Sequence, residues 1–107
     1  AYPPRDYAKW GELVYQWVRH SVERYGRREV ESWWWELWNE PDGPHYWKPH
    51  ANAQEYSELA IETGKALRRA APGEKFVGPA AASFSSTLIS AATASARPWG
   101  TSHWPAA

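Results

Sequence analysis

The chain has 107 residues, enough for one ordinary domain, and its twelve Lys plus Arg balance twelve Asp plus Glu. That zero net charge argues against a nucleic-acid or acidic-membrane partner held by bulk charge, and the absence of cysteine excludes a disulfide framework while leaving the compartment unread. No apolar run approaches the roughly 18 residues of a transmembrane helix; the opening AYPPRDYAKW lacks a signal-peptide core and methionine is absent throughout, so the expectation is an internal piece of something longer.

The first element in chain order is YPPRDYAKWGELVYQWVRHSVERYG. Apolar residues fall at Trp10, Leu13, Val14, Trp17, Val18, Val22 and Tyr25, the three-and-four spacing of one helical stripe. Asp6 is suited to cap its start and Gly26 to supply a left-handed stop. After a short polar turn, VESWWWELW reads as a strand because β-branched and aromatic residues dominate it. Strict alternation places Trp34, Glu36, Trp38 and Glu40 on one face and Trp33, Trp35 and Leu37 on the other. Glu36 then needs a partner, since an unpaired buried charge costs several kcal/mol, and its place in mid-strand makes it structural.

PDGPHYWKPHA reads as a loop, and a second helix starts near Asn52 with Glu55 three residues on. Its buried stripe is Tyr56, Leu59, Ala60, Thr63, Leu67 and Ala70, and Pro72-Gly73 ends it. KFVGPA, 75–80, suits another buried strand. Residues 83–107 form a tail rich in Ala, Ser and Thr, with a weak helix over 86–96 at most. The order helix, strand, helix, strand predicts an α/β fold with parallel strands.

Nine tryptophans make the composition unusual. Their common uses are core filling and stacking on flat ligand faces. The chemistry concentrates at Asn39-Glu40-Pro41. Glu40 ends the aromatic strand, and catalytic groups of parallel α/β folds sit just past the carboxyl ends of strands. Pro41 is expected to stop the strand and hold Glu40 extended. Apolar neighbours such as Trp38 favour the protonated form of a carboxyl, as a general acid requires.

WELWNEPDG resembles the Trp-Asn-Glu-Pro signature of clan A glycoside hydrolases, which are (β/α)8 TIM barrels. The preceding PPRDYAKWGELVYQWVRHSVERYGRREVESW and the following YSELAIETGKALRRAAPGEKFVGPA are similar to segments around the fourth and fifth barrel strands of family 39 β-xylosidases. The resemblance covers residues 3–82 and implies that 1–82 is part of a catalytic barrel and 83–107 a tail that departs from the family pattern. It implies a retaining β-glycosidase without cofactor, acting on a β-linked saccharide, xylosides first, with no nucleic-acid or membrane partner. Glu40 matches the general acid/base and Asn39 the residue that binds the sugar 2-hydroxyl. Tyr46, Trp47 and His45 lie where such enzymes place sugar contacts. His45 and His50 lack a third ligand for a metal site.

A retaining enzyme needs a second carboxylate about 5 Å from the first. The resemblance places it on a seventh strand that this chain does not reach, so the 107 residues alone are expected to be inactive. Two other classes compete. One is a non-catalytic carbohydrate-binding module stacking sugars on Trp38, Tyr46 and Trp47; the other is a helical interaction domain. Modules of this size are usually β-sandwiches, against which the two long amphipathic helices count, and the interaction domain leaves Asn39-Glu40-Pro41 unexplained.

Overall fold

The computed structural model describes residues 2–41 and 53–78. In chain order its elements are α1 (Tyr7–Tyr25), α2 (Arg27–Ser32), β1 (Trp34–Glu36), α3 (Ala53–Ala70) and β2 (Lys75–Val77). The two strands pair in parallel, with Trp34 opposite Lys75, Trp35 opposite Phe76 and Glu36 opposite Val77. Parallel pairing needs a crossover, and α3 supplies it. The expected α/β class and parallel strands are therefore present. The expected loop within 42–52, the Asn52 cap and the 83–107 tail lie outside the described residues.

The first helix forms as its sequence dictates. The Asp6 carboxylate accepts from the Lys9 amide at 3.0 Å, satisfying one of the donors that a helix start leaves free. Gly26 closes the helix at φ 89° with its N–H on the Val22 carbonyl. Its ψ of 148° is not the left-handed stop expected, because Gly26 also opens the next helix.

That next helix corrects the sequence reading. Residues 27–32 were expected to be a turn followed by the start of a strand. They form α2, and β1 is confined to Trp34–Glu36. Helix-spaced pairs hold α2: Arg27 with Glu31 at 3.0 Å, and the Trp33 indole N–H on the Glu29 carboxylate at 3.0 Å. Glu31, expected to begin the strand, instead reaches across to accept the Gly73 amide at 3.0 Å in the turn between α3 and β2. A Cβ on Gly73 would lie 2.8 Å from that carboxylate, so a larger residue there would displace the Glu31 side chain from the amide.

The core lies between the helices and one face of the sheet. Val14 and Val18 of α1 meet Tyr56, Leu59, Ala60 and Leu67 of α3, with Val30, Leu37 and Phe76 completing the layer. The Trp10 indole N–H donates to the Thr63 hydroxyl at 2.8 Å, tying α1 to α3. The α3 stripe matches expectation except that Ala70 is only partly buried. The α1 stripe does not: Leu13 and Trp17 are 63% and 60% exposed, and Tyr25 is also exposed. The buried side of α1 runs through Gly11, Val14, Val18 and Ser21, which rotates the expected stripe. Leu13 and Trp17 instead line an apolar cleft of about 260 Å³ between α1 and β1.

The tryptophan run divides as alternation requires as far as Leu37. Trp33 and Trp35 pack on the core and Leu37 is buried, while Trp34 and Glu36 are exposed on the other face. Trp35 meets Trp17 edge-on at 5.3 Å, and Trp33 meets Tyr25 at 5.4 Å, so these rings lock the strand to α1. Alternation fails at Trp38, expected beside Trp34. Trp38 has φ 63° and packs against the core cluster. Glu36 was expected to be buried and in need of a partner; within this chain it is exposed.

Candidate active site

The candidate residues Asn39 and Glu40 sit beyond the carboxyl end of β1, three and four residues past the strand's last member. The expectation that the strand runs to Glu40 is corrected: it ends at Glu36, although the Leu37 amide still reaches the Val77 carbonyl of β2 at 3.3 Å. From Leu37 onward the backbone turns. Trp38 and Glu40 both adopt positive φ, 63° and 45°, a region that non-glycine residues seldom enter. Glu40 is thus not held extended by the following proline. Pro41 is fully buried and Trp38 packs on the core, and seating both side chains bends the segment between them.

That bend decides exposure. Asn39 is exposed and Glu40 half-buried, between the two anchored neighbours. A carboxylate so placed is fixed by backbone but open to an incoming molecule, and Asn39 presents an amide donor and acceptor beside it. Glu40 and Asn39 do not line the apolar cleft between α1 and β1, which is bordered by Trp35, Leu37 and Trp38 instead. His45, Tyr46 and Trp47, the remaining candidates, lie outside the described residues, as does His50.

Support for this end of β1 comes from α3. Tyr56 is 1% exposed, and its hydroxyl donates to the Leu37 carbonyl at 3.2 Å. Burial, and secondly the Glu36 carboxylate, push its phenol above the ordinary range, so it stays protonated and remains a donor. The apolar pattern placed Tyr56 in the buried stripe but gave its hydroxyl no work. The available signal was chemical: a tyrosine at the centre of a buried stripe brings a hydroxyl that must find a partner.

Other perturbed groups serve the scaffold. The Gly73 amide and then the Arg27 guanidinium hold the Glu31 carboxyl below its usual range. Burial, followed by Glu58 and Glu55, raises the Tyr7 phenol. Buried Glu74 lies 3.7 Å from Arg68. Among the described residues, no group of three or more His, Asp or Glu side chains is placed to hold a metal ion, and no helix is long and apolar enough to cross a membrane.

Comparison with known proteins bears directly on this site. The family described as glycosyl hydrolases family 39 matches residues 1–91. The chain is 45% identical over 78 residues to a β-xylosidase of Geobacillus stearothermophilus, covering 73% of this chain and 15% of that protein. It is 33% identical over 75 residues to an α-L-iduronidase of Canis lupus familiaris, covering 70% of this chain and 12% of the relative. Among solved structures, a monomeric β-xylosidase from Caulobacter crescentus CB15 superposes with a TM-score of 0.77 at 30% identity, covering 92% of this chain and 19% of the other. The chain therefore spans about 15% of the length of the first of these relatives.

Proposed function

Because the chain belongs to glycosyl hydrolases family 39, we propose that it is part of a retaining β-glycosidase in which Glu40 is the general acid/base. Residues 1–82 form one portion of a (β/α)8 barrel, and 83–107 form a tail. The observation that carries this reading is the placement of Glu40. It lies just beyond a parallel strand, half-buried, between two anchored neighbours and beside exposed Asn39. The barrel reading is supported by what a larger fold would cover: the open face bearing Trp34 and Glu36, and the exposed Leu13 and Trp17.

In the first step Glu40 protonates the departing glycosidic oxygen as a second carboxylate attacks the anomeric carbon. In the second it takes a proton from the water that cleaves the glycosyl-enzyme. Asn39 hydrogen-bonds the sugar 2-hydroxyl, a contact that strengthens as the ring approaches the oxocarbenium-like transition state. Tyr46, Trp47 and His45 contribute sugar contacts. The substrate is a β-linked saccharide, with a β-xyloside first, following the names of two of the similar proteins, both β-xylosidases. Neither a cofactor, a nucleic acid nor a membrane enters this account.

The attacking carboxylate is supplied from outside these 107 residues, so the chain by itself does not turn over substrate. The experiment compares Glu40→Gln with the unaltered full-length protein on β-xylosides of differing leaving group. Poor leaving groups should lose about 100- to 10,000-fold in kcat. Activated aryl leaving groups should lose much less in the glycosylation step, because they depart without a proton. Unchanged turnover of both classes would overturn the assignment, and robust hydrolysis by the 107 residues alone would show that both acids lie within them.

A further inference from the structure

We propose that Tyr56 is the positioning residue for Glu40: its hydroxyl, reaching from α3 to the Leu37 carbonyl, fixes the peptide from which the Trp38–Glu40 turn departs. This rests on the reading of Glu40 as the acid/base.

Three restraints converge on Leu37. Its amide donates to Val77 of β2 at 3.3 Å, its carbonyl accepts from Tyr56 at 3.2 Å, and its side chain is buried. The strand ladder thus holds one side of this residue and α3 the other. Immediately afterwards the chain enters two positive-φ positions that are not glycine, Trp38 and Glu40. Such residues persist only where their surroundings over-determine the backbone. The Leu37 carbonyl belongs to the peptide that also carries the Trp38 amide, so a donor on that oxygen limits how the peptide plane can rotate. Rotation there would swing the whole Asn39-Glu40 segment.

The chemistry of Tyr56 suits this task. Phenylalanine would fill a buried stripe equally well, and a buried hydroxyl is tolerated only with a partner. Among the described residues, the Glu36 carboxylate acts on the phenol, and like burial it favours the protonated, donating form. Tyr56 acts through the backbone that presents Glu40.

The test uses the full-length protein with Tyr56→Phe and Glu40→Gln, measured side by side on β-xylosides with poor and activated leaving groups across pH. Tyr56→Phe should leave KM within about twofold and lower kcat on poor leaving groups about tenfold, as a misplaced catalytic group does. Activated leaving groups should be less affected, and the pH limb belonging to the acid should shift. A purely structural role would lower the melting temperature and move neither the leaving-group dependence nor the pH limb.

If Tyr56→Phe does not fold, 4-methylphenylalanine and 4-aminophenylalanine at position 56 fill the hydroxyl's space without and with a donor. The amino form should keep kcat near that of the unaltered protein, and the methyl form should lose it. Equal kcat in the two forms, or an unaltered profile in Tyr56→Phe, overturns the positioning role. Loss in Glu40→Gln alongside an unaltered Tyr56→Phe would leave the acid assignment standing. An unaffected Glu40→Gln would remove that assignment first.

Discussion

The two faces of the β1–β2 sheet are finished to different degrees. On one face Trp35, Leu37 and Phe76 pack against α1 and α3, with Trp17 seated on Trp35. On the other, Trp34 is 67% exposed and Glu36 is exposed. The Lys75 ammonium stands 5.2 Å from the Trp34 ring centre. A pair of parallel strands buried on only one side is unusual, since parallel sheets are normally covered on both. The covered face therefore accounts for the packing within this chain. The open face, and the turn that begins after Leu37, belong to a larger assembly under the barrel reading.

Substitutions can break or sharpen that contrast. Trp34→Ala should be nearly silent if its face is open, within about 0.5 kcal/mol. Closed into a barrel interior, the same change should cost about 3 to 5 kcal/mol. Chemical denaturation of the full-length protein should give the larger value, and a silent Trp34→Ala there would count against closure. On the covered face, Leu59→Ala removes a fully buried side chain of α3. It should cost about 2 to 5 kcal/mol whether or not the open face is closed. A loss well below that range would mean the helical layer is looser than described.

The smallest effect concerns pH. The Glu31 carboxyl is held below its usual range, first by the Gly73 amide and then by Arg27. Its contribution is therefore present above the unfolded-state pKa, about 4.3, and is lost as pH falls through the lower folded value. Glu31→Gln should lower the melting temperature slightly in the neutral region and flatten the acid side of the profile, so that variant and unaltered protein converge at low pH. An identical acid limb in the variant would show that the carboxylate does not distinguish the folded state.

The long helices were legible because their signals were local. Asp6 capped α1 as its type predicts, and Tyr56, Leu59, Ala60, Thr63 and Leu67 lie buried at helical spacing. The parallel pairing followed from element order. Three features were hidden for different reasons. The α2 helix was masked by the aromatic run beside it, although Arg27 and Glu31 already stood at the i, i+4 spacing of a helical pair. The orientation of Trp38 depended on a positive φ that no residue type announces. The partners of Glu31 and of the Tyr56 hydroxyl are far along the chain, and only tertiary structure brings them together.

At the site the motif was readable and its geometry was not. Asn39-Glu40-Pro41 stood out as chemistry, yet alternation and the proline both pointed to an extended Glu40. Burial of Pro41 and packing of Trp38 overrode that local preference. The resulting turn leaves Asn39 and Glu40 accessible rather than in line with the strand.

The most direct test of Glu40 as the acid/base of a retaining enzyme is azide rescue of Glu40→Ala in the full-length protein, on an activated aryl β-xyloside. Without its base the glycosyl-enzyme accumulates, because water can no longer be deprotonated. Azide is already anionic and needs no base, so added azide should restore turnover and release the β-xylosyl azide. An α-configured azide, or no response to azide in a folded variant, would contradict the account.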